Sequence, residues 1–261
     1  MIAKQKIEIE KYLTPFHSHQ LHDLKKAELM NRVDTKFVVP IHLLGYIFNA
    51  IEQTYTVLEI NKKRIFEYKN IYFDTEDFMF YRNHHNGKLN RFKVRYRNYV
   101  DSDLSFLEVK FKDNKKRTHK SRIKVDTNPH KIIQHSSEFL KQVGITHPQD
   151  LLVVQKSGYH RIAFADEKNA ERLTVDLNLH FRNPELSSTQ KIGDYVIFEL
   201  KQNKMNRQSL FFSVMRELSI KPSSFSKYCI GMALTDENKK IRKNNFRKVI
   251  RQFTSINETA A

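Results

Sequence analysis

The chain has 261 residues, and its 46 basic against 29 acidic side chains give a formal net charge of +17 with histidine neutral. At about 150 residues per domain, this length fits one large domain or two small ones, with a core that needs no disulfide or metal staple. The six glycines are widely separated. Glycine-rich phosphate loops, dinucleotide fingerprints and nucleophile elbows need closely spaced glycines, so all three are excluded. A phosphate ligand would have to be held by lysine and arginine side chains.

The sequence shows neither the cysteine pattern of a disulfide framework or zinc site nor the apolar pattern of a targeting signal. Cys229 is the sole cysteine, which excludes a disulfide framework and a cysteine zinc site. The first residues, MIAKQKIEIEKYL, lack the apolar region of a signal peptide, and no apolar run is long enough for a transmembrane helix. We therefore expect a cytoplasmic protein without a transmembrane segment, although a membrane partner remains open.

In chain order, hydrophobic periodicity predicts about eight strands with helices between them. The strands are expected at 31–39, 69–74, 91–99, 106–112, 120–125, 159–165, 171–181 and 194–202. The helices are expected at roughly 18–30, 40–53, 76–84, 130–142, 148–156, 206–219 and 222–234. Residues 90–125 read as an antiparallel meander, and the whole as one α+β domain.

Two short regions supply nearly all of the positive charge. Thirteen basic and four acidic residues between 86 and 124 give +9, and the seven basic residues of 239–251 give +7. The second region is weakly helical, and we expect a partly packed basic helix or tail over 237–261.

The first region places its charge on one side of its strands. In RFKVRYRNY, the bases at 91, 93, 95 and 97 alternate with Phe92, Val94 and Tyr96. Alternate side chains of a strand point to opposite faces, so the four bases share one face. Like charges at this spacing repel unless an anion lies against them. The pattern fits either a basic outer sheet face for nucleic acid or a closed barrel with a polar interior for phosphates.

Three carboxylates lie on the basic faces of the predicted strands. Glu108, Asp176 and Glu199 share faces with Lys110, Arg172 and Lys201, respectively. Each could hold Mg²⁺ or Mn²⁺ together with phosphate oxygens, or could simply pair with its basic neighbour. Phe92, Val94 and Tyr96 fall opposite the bases, so the strands lack the interleaved exposed aromatics of a base-stacking surface, and no nucleic-acid partner is expected.

Several blocks of sequence resemble one family. They are ELMNRVDTKFVVP, YFDTEDFMFYRNHHNGKLNRFKVRYRNY, FLEVKFK, YHRIAF, ERLTVDLNL, IFELKQ and SFSKYCIGMAL. Their order and spacing resemble the VTC (vacuolar transporter chaperone) domain, the polyphosphate polymerase branch of the CYTH-like triphosphate tunnel metalloenzymes. The wider superfamily often opens with an ExExK motif. This chain has Glu28, Arg32, Asp34 and Lys36 there, which is closer to bacterial, stand-alone VTC-like sequences.

The resemblance implies a fold, a domain and a set of site residues. The fold would be a closed antiparallel β-barrel of about eight strands with surrounding helices, in a single tunnel domain over 1–236. The resemblance assigns catalytic phosphate contacts to Lys36, Arg95, Arg97, Arg161, Lys201 and Lys227. It assigns further phosphate or ATP contacts to Arg32, Lys93, Lys110, Lys120 and Arg122. Glu199 matches the metal-binding glutamate of the family, with Glu108 and Asp176 as additional candidates for Mn²⁺ or Mg²⁺.

The function implied is a metal-dependent phosphotransferase. It would pass the γ-phosphate of ATP to a growing inorganic polyphosphate chain, a reaction that needs positioned charge more than a protein nucleophile. Two alternatives stay open. One is an inorganic triphosphatase or nucleoside triphosphatase of the same fold, and the other is a non-catalytic module that binds polyphosphate or nucleic acid.

Overall fold

A computed structural model describes residues 3–23, 33–125, 131–186, 189–238 and 240–254. The helices are α1 (Ala3–Leu13), α2 (Leu44–Ile51), α3 (Met79–His85), α4 (Ile132–His135), α5 (Ser137–Gln142), α6 (Leu210–Glu217), α7 (Lys227–Thr235) and α8 (Arg247–Thr254). The strands are β1 (Ser18–His19), β2 (Val33–Pro40), β3 (Thr56–Leu58), β4 (Phe66–Asp74), β5 (Arg91–Tyr99), β6 (Leu104–Lys112), β7 (Thr118–Lys124), β8 (Leu152–Asp166), β9 (Glu171–Arg182), β10 (Thr189–Lys191) and β11 (Tyr195–Gln202).

The chain divides into two compact units. Unit 1 comprises Met1–Phe66, Tyr159–Leu179 and Ile192–Phe225, and unit 2 comprises Glu67–Gly158, His180–Lys191 and Ser226–Ala261. The long strands β8 and β9 each contribute residues to both units.

In unit 1, helices α1, α2 and α6 pack against the apolar side of the strands. β2, β11, β9 and β8 are neighbours in that order, and β3 adds to β8. The helix α2 buries Leu44, Ile47, Phe48 and Ile51, whose spacing places them on one stripe. On the sheet, Phe37 lies with its ring centroid 5.5 Å from the rings of both Phe211 and Phe212 of α6. Apolar residues therefore occupy one side of these strands and leave the alternate positions for charge.

Unit 2 contains the predicted meander, in which β4, β5, β6 and β7 are antiparallel neighbours. The core-facing side carries Val94, Tyr96, Leu107 and Val109, all buried. Phe80 of α3 belongs to the same core. The alternation predicted for this region is confirmed, because these residues lie opposite the basic ones.

The strands form one large, mainly antiparallel sheet of 11 strands. Its path runs β2-β11-β9-β8-β4-β5-β6-β7, and among the described strands no pairing joins β7 back to β2. Hydrogen bonds thus do not close the described sheet. A mixed α and β fold with a large antiparallel sheet is established, whereas the closed barrel is not confirmed.

The predicted helices are only partly correct. The helix expected over 148–156 is wrong, because Pro148–Asp150 is a single 3₁₀ turn and strand β8 begins at Leu152. A helix is also expected over 18–30. Of this range the structure describes 18–23, which form the short strand β1 and a 3₁₀ turn over Leu21–Asp23 instead. The helix expected over 130–142 is divided at Ser136 into α4 and α5. No helix among the described residues is long and apolar enough to cross a membrane.

Candidate functional site

One side of the β5–β6–β7 meander in unit 2 carries basic side chains in rows that cross the strands. The register places Lys93 opposite Lys110, and Lys110 opposite Lys120. Directly opposite side chains on a sheet are close neighbours, so like charges there are destabilising. The same side also carries Arg91, Arg95, Arg97, Lys112, Arg122 and Lys124. We call these nine residues the cationic face. So much charge of one sign favours the binding of an anion.

Glu108 lies within the cationic face and is fully buried. Its Oε2 accepts from Nε of Arg95 at 2.6 Å and lies 3.9 Å from Nε of Arg97, while Lys120 pairs with Oε1. Burial raises the pKa of Glu108, but these three cations outweigh burial and hold the pKa well below its usual range. Burial lowers the pKa of Lys120, and Glu108 offsets part of that effect. The carboxylate therefore fixes the guanidinium of Arg95 while the face stays positive.

The N-terminal end of α7 lies against the cationic face. Nζ of Lys93 donates to Oγ of Ser226 at 3.3 Å, and Ser226 is the N-cap of α7. The ring of Tyr228 stacks on Tyr72 of β4 at 5.2 Å between centroids. Lys227, the first residue of the helix, adds a cation beside the backbone N–H groups. Helix N-termini bind anions through such groups.

Aromatic rings lie at one end of the cationic face. The guanidinium of Arg97 is 5.3 Å from the ring centroid of Tyr68 and 5.8 Å from that of Tyr99. Arg122 lies 4.7 Å from the ring centroid of Phe106. The three rings are half-buried. Half-buried aromatic residues therefore share the basic side at this end, where cation–π contacts orient the arginines.

In unit 1, charges of opposite sign alternate across β2 and β11. The register places Lys36 opposite Glu199 and Asp34 opposite Lys201. Oε2 of Glu199 lies 3.0 Å from Nζ of Lys201, and Oε1 lies 3.9 Å from Nζ of Lys36. Nζ of Lys36 also donates to the carbonyl of Phe225 at 3.0 Å. Burial lowers the pKa of Lys201, and the charge of Glu199 offsets part of this.

Arg161 and Asp176 form a bidentate pair in the same unit. Nε and Nη2 of Arg161 donate to the two carboxylate oxygens at 2.7 and 2.9 Å. Asp176 is fully buried, and the guanidinium lies 5.3 Å from the ring centroid of Tyr159. Two-point contacts of this kind hold arginine in one orientation. We call Asp34, Lys36, Arg161, Asp176, Glu199 and Lys201 the mixed-charge cluster.

The three candidate metal ligands differ in how their oxygens are engaged. Both oxygens of Asp176 accept from Arg161, and both oxygens of Glu108 pair with cations. Glu199 pairs with lysines rather than arginines, at 3.0 Å from Lys201 and 3.9 Å from Lys36, and its side chain is 15% exposed whereas the other two carboxylates are fully buried. Mg²⁺ is usually bound by one or two carboxylates with substrate phosphates and water supplying the rest. Glu199 fits that role best. The described residues contain no group of three or more His, Cys, Asp or Glu that could hold a metal alone.

The predicted site residues separate into two sets. Unit 2 brings together Lys93, Arg95, Arg97, Glu108, Lys110, Lys120, Arg122 and Lys227. Unit 1 brings together Lys36, Arg161, Asp176, Glu199 and Lys201. Arg32 lies outside the described residues. Sequence reasoning missed Ser226 as the partner of Lys93, and it missed the aromatic end of the cationic face. Residue parity could have located Tyr99 and Phe106, since they fall on the same side as Arg97 and Glu108.

Comparison with known proteins identifies the family. The model of the VTC domain matches residues 31–236. The chain therefore belongs to the VTC domain family. No curated protein matches the chain in sequence.

Solved structures are similar to this chain at low sequence identity. HpAC1 from Hippeastrum, for which a dominant triphosphatase activity is reported, has 12% identity and a TM-score of 0.53, covering 78% of this chain and 95% of its own. The PH1012 protein from Pyrococcus horikoshii OT3 has 15% identity and a TM-score of 0.44, covering 78% of this chain and 99% of its own.

Proposed function

We propose that this VTC-domain protein is a metal-dependent polyphosphate polymerase that uses ATP as phosphoryl donor. The observation that carries the proposal is the cationic face, in which Lys93, Lys110 and Lys120 stand in one row across three strands. The three ammonium groups repel one another, so this arrangement destabilises the sheet unless an anion binds to it. Polyphosphate and the triphosphate of ATP both present repeated anionic oxygens. Membership of the VTC domain family supports this choice over other polyanions.

The reaction is a phosphoryl transfer between phosphates. A terminal oxygen of the polyphosphate chain attacks the γ-phosphorus of ATP, a new P–O bond forms, and the bond to the β-phosphate bridging oxygen breaks to release ADP. The acceptor oxygen is already anionic, so no protein base is required. Catalysis then comes from positioning and from charge stabilisation.

Arginine and lysine side chains have distinct roles in this proposal. Arg95, Arg97 and Arg161 contact phosphate oxygens, because guanidinium groups match such oxygens in two-point geometry. Lys36, Lys201 and Lys227 neutralise the charge that develops on the leaving diphosphate of ADP. Arg32, Lys93, Lys110, Lys120 and Arg122 extend phosphate binding.

Glu199 is the residue proposed to hold Mg²⁺ or Mn²⁺. A bound divalent ion would screen the phosphate oxygens and align them for transfer. The chain itself supplies the orientation of the carboxylate, because Lys201 contacts one of its oxygens at 3.0 Å. Glu108 and Asp176 are proposed instead to position Arg95 and Arg161.

The test is a polymerisation assay with the purified protein. ATP is incubated with protein and Mn²⁺ or Mg²⁺, and the product is separated by gel electrophoresis and stained for polyphosphate. We expect long polymer from the wild type. Glu199→Gln is expected to lose metal-dependent turnover, while Glu8→Gln, an exposed position on α1 in the same unit, keeps it. Wild-type activity in Glu199→Gln would refute the metal assignment.

A second candidate is a triphosphatase of the same fold. The structural similarity to HpAC1 favours it, because a dominant triphosphatase activity is reported for that protein. Water would replace the polyphosphate chain as acceptor. The same assay separates the candidates: release of free phosphate without polymer indicates the hydrolase, and tight polyphosphate binding without turnover indicates a non-catalytic binding module.

A further inference from the structure

The second basic region of the chain is held in place by its apolar side. Phe246 is buried, and its ring centroid lies 6.1 Å from that of Tyr81 and 5.5 Å from that of His85. The hydroxyl of Tyr81 donates to the carbonyl of Arg242 at 2.8 Å, and the side chain of Asn245 donates to the carbonyl of His85 at 2.8 Å. The segment 240–253, which we call the C-terminal arm, is thus anchored on α3 within unit 2.

The outward side of the C-terminal arm carries charge of one sign. Arg242, Arg247, Lys248 and Arg251 are exposed, and within the described part of the chain no acidic partner lies in ion-pair range of these four. Lys240 and Lys243 do have partners, Glu185 and Asp236.

The placement of these cations on α8 is unfavourable for the helix. Arg247 and Lys248 lie in the first turn, which contains no acidic residue and where the helix dipole favours negative charge. Arg247 and Arg251 are four positions apart in the chain, a spacing at which like charges repel on a helix. An anion bound along this side relieves both effects. Because the apolar side of the arm contacts the protein, electrostatic binding of a polyanion fits better than insertion into a lipid surface.

We infer that the C-terminal arm is a second polyphosphate-binding surface, which retains the long polymer during synthesis. This inference rests on the proposed function. In this inference the C-terminal arm binds the polyphosphate product away from the reacting phosphates. It is therefore expected to affect product length and the affinity for long polymer. The rate of phosphoryl transfer to short acceptors is expected to be unaffected.

The test uses the full chain with three charges reversed, R247E/K248E/R251E. The matched control K62E/K141E/K168E makes the same change in net charge at exposed, scattered positions. For the arm variant we expect at least about tenfold weaker binding of long-chain inorganic polyphosphate, and a slope of log Kd against log salt that is shallower by about two, as for three lost phosphate contacts. Its products are expected to be shorter, at an unchanged initial rate with short acceptors. The control is expected to bind like the wild type.

The outcomes separate this inference from the proposed function. If the wild type makes no polymer, the proposed polymerase activity fails, while the binding measurement with added long-chain polyphosphate still decides whether the arm binds it. Equal affinities of the arm variant and the wild type for that polymer would overturn the inference. Binding of duplex DNA is measured in parallel, and an arm variant that loses DNA binding but keeps polyphosphate binding would also overturn it. An equal loss in the control would show that net charge, rather than the arm, is responsible. Thermal unfolding of all variants confirms that they fold.

Discussion

Replacing Glu108 with glutamine tests whether the cationic face is built for an anion. The carboxylate is fully buried and contacts Arg95, Arg97 and Lys120. Glutamine keeps the shape but removes the charge, which leaves three cations facing one another. Breaking a buried ion pair costs about 3–5 kcal/mol. Because the Lys120 side chain is 35% exposed and can turn to solvent, we expect a loss at the lower end, about 3 kcal/mol at neutral pH.

The pH dependence of this loss has a defined sign. The folded-state pKa of Glu108 lies below the ordinary value of 4.5, so its contribution to stability is complete above that pH and disappears as the pH falls towards the folded pKa. The difference in unfolding free energy between wild type and Glu108→Gln should therefore shrink below about pH 4.5. Urea unfolding over a pH series measures it. Glu138→Gln, an exposed position on α5 of the same unit, is the control and should change little.

Added triphosphate distinguishes a ligand-binding face from a purely structural ion cluster. Inorganic tripolyphosphate stabilises the folded state according to its affinity, and the missing carboxylate no longer competes for the three cations. We expect a larger rise in Tm on adding tripolyphosphate to Glu108→Gln than to the wild type. A variant that is as stable as the wild type, or that gains no more from tripolyphosphate, would refute this account of the face.

Three further predictions concern single positions. Gly231→Ala should cost about 1–3 kcal/mol in urea unfolding, because a methyl group would overlap Gln155, whereas Gly193→Ala, with open space at its Cβ, should be neutral. Lys201→Arg should move the alkaline limb of the kcat/KM profile to higher pH, because burial lowers the pKa of the lysine; an unmoved limb would remove Lys201 from the proposed reaction. Burial raises the pKa of Cys229 to about 11, so iodoacetamide should label the thiol slowly in the native protein and quickly after unfolding; rapid native labelling would contradict its burial.

The strand pattern could be predicted from the sequence because each strand has one apolar and one polar side. In β5 the parity of Val94 and Tyr96 against Arg95 and Arg97 specifies which side is buried. The prediction of a helix over 148–156 is wrong because this segment lacks such a two-sided pattern. Val153 and Val154 are β-branched and favour a strand, but a short apolar run does not by itself distinguish a strand from a buried helix.

The partners within the site could not be predicted in the same way. Arg95 meets Glu108 only because the β5–β6 hairpin sets their register, and Lys120 reaches the same carboxylate from the next strand. Register depends on turn geometry, which the loop sequences specify only weakly. The contact of Lys93 with Ser226 joins positions far apart in the chain, so no local pattern indicates it.

The alternation of the cationic face with the core has an evolutionary consequence. Each cation inside β5 stands between two residues whose side chains point the other way, such as Arg95 between Val94 and Tyr96. Natural variation can therefore alter these charges one at a time without changing the apolar side chains on the opposite side of the strand. A glycine-rich loop offers no such freedom, because its ligand contacts are made by the backbone itself. The ligand preference of such a sheet can therefore change in small steps. Glu108 is an exception, because its charge is buried and a change there also alters the stability of the fold.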